Sequence, residues 1–185
     1  MFPITDQQLS ITIVPAEPQH LPGVLDIARC WQLGQVADEI RDQGFLLAGW
    51  DLANYAHFLD EAEHFYVATH GRDIAGFIIA YDQRHDHLDP MLNRELKRTL
   101  PAYVNIEQIC VDRRWVRRGV ATRLWAHLFA QCQPVPIVVE IVSSPPNVPS
   151  ATLHRKLGFS PFIDLVRPGG TLTTVWRRDR RGHAA

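Results

Sequence analysis

The spacing of apolar residues along this chain changes repeatedly, and each change marks an element. Ile11 to Val14 alternate as a short strand ending at Pro15, whereas His20 to Gln32 carry Leu21, Val24, Leu25, Ile27 and Ala28 at helical spacing. Val36 to Ile40 keep a helical pattern, and Asn54 to Ala62 read as another short amphipathic helix. Phe65 to Thr69 and Ile74 to Tyr81 are apolar runs separated by His70, Gly71, Arg72 and Asp73, a β-hairpin pattern. The polar stretch Asp82 to Arg98 leads through a helix over Met91 to Leu100, which Pro101 stops.

The next strand, Tyr103 to Asp112, is irregular in an informative way. Val104 and Ile106 are apolar at even positions, Ile109 and Val111 at odd ones, so the alternation changes parity around Glu107 and Gln108. Neighbouring residues of a strand face opposite sides, and a parity switch therefore predicts a β-bulge that re-aims side chains. After Gly119 the positions Val120, Ala121, Leu124, Trp125, Leu128 and Phe129 return to helical spacing, and this helix must stop before Pro134. Val135 to Val142 read as a buried strand and Ser150 to Leu157 as a short helix closed by Gly158. Phe159 to Val166 and Thr171 to Arg177 form a final strand pair around Pro168, Gly169 and Gly170. The expected class is mixed α/β (α+β), with a largely antiparallel sheet and one domain over residues 1–185, since no linker or repeat divides the chain.

Charge narrows the function classes. A formal net charge of -1 supplies no long-range attraction to nucleic acid or to an anionic membrane. The basic tail WRRDRR, from Trp176 to Arg181, reads as a strand end running into solvent. No segment approaches the length of an apolar membrane span, and the first residues lack a secretory leader pattern. Cys30, Cys110 and Cys132 are an odd number without paired metal-site spacing, which suits free thiols in a reducing, cytoplasmic setting.

Two segments carry the chemistry. Val111 to Leu124, VDRRWVRRGVATRL, joins a strand end, an arginine-rich loop and a helix start, with small residues at Gly119 and Ala121. Backbone N–H groups at a helix N-terminus hold an anion when no side chain blocks its approach. Arg117 and Arg118 add cationic donors there, and Thr122 places a hydroxyl in the first turn. The second segment is NVPSATLHRKLGF, Asn147 to Phe159, a loop amide followed by a helix and a tight turn into a strand. In this order and spacing the two segments resemble the motifs of the GNAT superfamily of acyl-CoA N-acyltransferases, Q/R-x-x-G-x-G/A and roughly N-x-x-A-x-x-x-Y-x-x-x-G-F.

That resemblance implies a mixed, mostly antiparallel sheet of six to seven strands flanked by helices, bulged in the strand at 103–112. It also implies acetyl-CoA as co-substrate. Val116, Arg117, Arg118, Gly119, Val120, Ala121 and Thr122 would hold the pyrophosphate. Val111 would offer its backbone to the pantetheine arm and Asn147 would bond the pantetheine amides, with Ile109, Cys110 and Ser150 also in the co-substrate site, and a backbone N–H near Cys110 or Val111 would meet the oxyanion. The chain departs from the family pattern at Val116, which replaces Gln or Arg, at Ser150, which replaces Ala, and at His154, which replaces a tyrosine. Val116 retains the backbone N–H through which that position often acts. His154 either protonates the departing thiolate, as the tyrosine does in relatives, or packs against the thioether arm.

Glu107, at the inferred bulge, matches the position of a strand carboxylate that some relatives use as a base, directly or through a water, to take a proton from the attacking amine; the alternative is a surface or entrance carboxylate that only attracts cationic substrates. A covalent route through Cys110, a non-catalytic acyl-CoA binder and a metal-dependent hydrolase using His85, Asp86, His87 and Asp89 are the competing readings. The acceptor is an amine of a small molecule or a peptide, shaped by residues 32–54 and 82–101, which carry no motif tied to one substrate. A homodimer paired through a sheet edge stays open.

Overall fold

The structure, a computed structural model, describes residues 10–32, 44–47, 49–84 and 90–179. Seven strands join one sheet in the order β1-β2-β3-β4-β5-β7-β6. They are β1 (Thr12–Pro15), β2 (His64–His70), β3 (Asp73–Asp82), β4 (Val104–Val111), β5 (Ile137–Ser144), β6 (Ser160–Val166) and β7 (Leu172–Arg178). Every pairing is antiparallel except β4 with β5. The helices are α1 (Leu21–Arg29), α2 (Leu52–Glu61), α3 (Pro90–Thr99), α4 (Val120–Gln131) and α5 (Val148–Lys156). The helix expected over 36–40 and the His85 to Asp89 cluster lie outside the described residues.

Strand alternation assigns the helices to faces. On β3, Phe77, Ile79 and Tyr81 pack with α1 and α2, while Ile78 and Ala80 pack with α4. Leu92 and Leu96 of α3 extend the α1 and α2 face over Val138 of β5 and Val175 of β7. The α4 face is centred on Leu124, Trp125 and Leu128 against Ile137, Val139 and Ile141.

The parity switch in β4 is a bulge. Ile79 pairs with Gln108 and Ala80 with Ile106, leaving Glu107 as the extra residue on β4. Val104 and Ile106 before the bulge and Ile109 and Val111 after it consequently all contact the α4 core. Glu107 and Gln108, although adjacent, both turn to the opposite face, where Glu107 accepts a hydrogen bond from the Tyr81 hydroxyl and Gln108 Oε1 accepts one from the Tyr55 hydroxyl at 2.6 Å. Asp51 caps α2 by accepting from the Asn54 N–H at 2.9 Å, a cap not read from the sequence.

Candidate active site

The parallel pairing of β4 with β5 covers only Val104 to Ile106 and Ile137 to Val139. Beyond it the two strands part, and a cavity of about 980 Å³ opens along the split. Ladder geometry determines which backbone groups reach it. The Asp112 N–H donates to Ala75 O at 2.9 Å, so in the alternating antiparallel pattern Cys110 and Gln108 exchange bonds with β3. Ile109 and Val111 then turn their N–H and C=O groups away from β3, toward the split. The Val111 carbonyl is already engaged there, accepting from Trp31 Nε1 at 2.8 Å.

Gly119, at the head of α4, has φ +78, in the left-handed region where glycine carries no Cβ penalty. A Cβ built at Gly119 would meet nothing within 4 Å, so the space before the helix is open. The Arg123 N–H makes the bond to Gly119 O, at 3.0 Å, so the N–H groups of Val120, Ala121 and Thr122 precede the first intrahelical bond. Val116, Arg117, Gly119, Val120, Ala121 and Thr122 all line the cavity. Arg118 does not; its guanidinium lies over the Trp115 ring, 5.5 Å from the centroid. Positive helix-end charge, free amides and absent side chains fit a pyrophosphate.

Asn147 and Ser150 line the cavity from the start of α5. The Asn147 side chain is engaged within the protein: Oδ1 caps α5 by accepting from the Ser150 N–H at 3.3 Å, and Nδ2 donates to Phe45 O at 2.8 Å. This bond moors the 44–47 segment across the split. Leu46 N–H donating to Trp31 O at 2.7 Å holds the same segment from the other side.

His154 is 1% exposed, boxed edge-on by Trp125 and Phe159. Nδ1 donates to the Ser150 carbonyl at 2.7 Å, so the neutral ring carries its proton there and Nε2 is an acceptor only. Burial pushes the imidazole down to about 4, against the opposing effect of the Ser150 bond. At neutral pH this ring therefore has no proton to give through Nε2, and the geometry favours packing over proton donation. Burial likewise raises the Cys110 thiol.

The split also gathers residues without a sequence signal. Arg167, in the turn between β6 and β7, is held by both carboxylate oxygens of Glu140, with Nε to Oε1 at 2.7 Å. Trp31, Phe45, Leu46, Leu47 and Trp50 close the cavity from the α1 and α2 side, and Met91, Leu92 and Arg94 from α3. Among the described residues no metal-binding cluster occurs and no helix is long and apolar enough to cross a membrane.

A strand bulged at a carboxylate, a split beside it and a glycine-headed helix below make a site with the shape and charge to take an acyl-CoA. The acetyltransferase (GNAT) family matches residues 27–159, and the chain belongs to that family. It is an acetyl-CoA-dependent N-acetyltransferase. Among solved structures it is similar to Ard1 from Thermoplasma volcanium, at 20% identity and TM-score 0.67 over 91% of this chain and 97% of that one. The ribosomal-protein-S18-alanine N-acetyltransferase from Escherichia coli is 18% identical, TM-score 0.63, over 95% and 98% of the two chains. NAA60 from Arabidopsis thaliana in complex with a bisubstrate analogue is 14% identical, TM-score 0.66, over 91% and 97%. No curated protein matches the chain.

Proposed function

We propose that this enzyme transfers the acetyl group of acetyl-CoA to a primary amine of a small molecule or peptide by direct attack. The observation that carries the proposal is Glu107, a carboxylate set by the bulge at the mouth of the split. An alkylammonium, with a pKa of about 10, must lose a proton before it can attack, and Glu107 accepts that proton directly or through a water. The amine nitrogen then bonds the acetyl carbon, the C–S bond breaks, and the nitrogen sheds its remaining extra proton to solvent. Backbone N–H groups of Ile109 and Val111, turned into the split, meet the developing oxyanion. Val116, Arg117 and Gly119 to Thr122 hold the pyrophosphate, and Ile109 to Val111 with Asn147 and Ser150 flank the pantetheine arm.

The departing thiolate, whose conjugate acid has a pKa of about 8.5, takes its proton from solvent, since His154 holds none at Nε2. His154 instead shapes the wall of the arm. Direct attack is supported by Cys110, whose buried thiol is raised in pKa and so poor in thiolate. A cytoplasmic setting is part of the same reading, in keeping with three free cysteines. Mass spectrometry of protein incubated with acetyl-CoA alone tests the direct route: no acetyl group on Cys110, and turnover retained in Cys110→Ala, is the expected outcome. A stoichiometric acetyl-cysteine that amine discharges would overturn it.

A further inference from the structure

The two faces of the split are walled differently. On the α4 and α5 face the wall is a helix N-terminus with Arg117 beside it. On the opposite face, onto which Glu107 projects, it is Phe45, Leu46, Leu47 and Trp50 together with Met91 and Leu92 of α3. Leu47 is a large apolar side chain left 45% exposed at this wall. An apolar group of a bound acceptor would cover it and gain the free energy of leaving water.

Charge at this mouth is equally selective. Glu140 neutralises Arg167 through a bidentate pair. Arg94 of α3 also lines the cavity, is exposed, and makes no hydrogen bond or ion pair with a described residue. A guanidinium's planar fork matches a carboxylate, and an unpaired one breaks no ion pair when it turns toward a ligand. Carboxylate, apolar wall and free guanidinium thus share one face of the sheet.

An α-amino acid with an apolar side chain carries the three complementary groups: an ammonium for Glu107, a side chain for the Leu47 and Met91 wall, and a carboxylate for Arg94. Building on the amine-transfer reading above, we infer that the acceptor is a free apolar α-amino acid, with Arg94 as the residue that selects its carboxylate. The product is the N-acetyl amino acid: an N–C bond forms, the thioester C–S bond breaks, and the thiolate is protonated from solvent.

Thiol release from acetyl-CoA, measured on the full chain, tests this. The acceptors are L-leucine, L-methionine and L-phenylalanine, their carboxamides, 2-phenylethylamine and a short peptide with a free N-terminus. The free acids should show a KM lower than the carboxamides by about tenfold or more. Arg94→Gln should raise the KM of the acids to that of the carboxamides, moving kcat less than KM, and Arg94→Lys should keep part of the difference. Unchanged melting temperatures in these variants establish that they fold. Equal use of acids and carboxamides, release only with the peptide or the simple amine, or a preference that survives in Arg94→Gln would overturn the inference while leaving amine transfer in place. Release with none of these acceptors, by protein that binds acetyl-CoA, would overturn both.

Discussion

At the scale of single residues, the bulge in β4 turns two adjacent side chains to one face, and each is met by a tyrosine hydroxyl. The Tyr55 hydroxyl is raised in pKa, mainly by burial, so it stays a donor to Gln108 through the neutral range. His154 has the opposite character, a ring held neutral by its burial. That state has a consequence for stability. The folded chain holds this ring near 4 and the unfolded chain near the ordinary 6.5, so between these values the unfolded state binds the extra proton. The stabilisation from His154 is full above 6.5 and is lost as pH falls toward 4, with a slope of up to about 1.4 kcal/mol per pH unit. Urea unfolding at about pH 7.5 and about pH 5 should show a larger loss of stability on acidification for the parent than for His154→Leu. An equal loss in both proteins would remove His154 as the titrating group.

At the scale of elements, much was legible because local patterns decided it. The switch from even to odd apolar positions in Tyr103 to Asp112 located the bulge, since a strand has no other way to keep both Ile106 and Ile109 on the α4 core. Gly119 before an apolar helical run likewise located the head of α4. Two glycines separate backbone strain from occupancy of the seat. Gly119, at φ +78, and Gly71, at φ +60 in the turn between β2 and β3, both have open space around a built Cβ, but only Gly119 lines the cavity. Leucine at either position should cost about 1 to 2 kcal/mol of stability through the left-handed backbone. Calorimetric titration should find acetyl-CoA affinity lost in Gly119→Leu and kept in Gly71→Leu. Equal affinity in the two variants would detach the helix head from the pyrophosphate.

At the scale of the whole molecule, the sequence was least informative, because the walls of the split come from distant parts of the chain. Trp31 and Val111 are 80 residues apart, and Arg167 and Glu140 are 27 apart; neither pair leaves a local pattern. The regions 32–54 and 82–101 carry no motif that ties them to an acceptor, and Phe45, Trp50 and Arg94 line the cavity only because the folded chain brings them there. Asn147 shows the same limit: its motif position was readable, but its bond to Phe45 O, which moors the 44–47 segment over the split, was not. On the proposed reading, acetyl-CoA and acceptor meet from opposite faces of one split sheet, with Glu107 at the crossing point.

The proposed arrangement assigns the proton transfer to Glu107 and the co-substrate to the other face. The most direct measurement is thiol release by Glu107→Gln at saturating acetyl-CoA, beside calorimetric titration of the same protein with acetyl-CoA. Loss of a general base predicts a fall in kcat of about 10² to 10⁴. Acetyl-CoA affinity should stay unchanged in the same variant. Turnover equal to the parent's, at matched acetyl-CoA occupancy, would contradict the account.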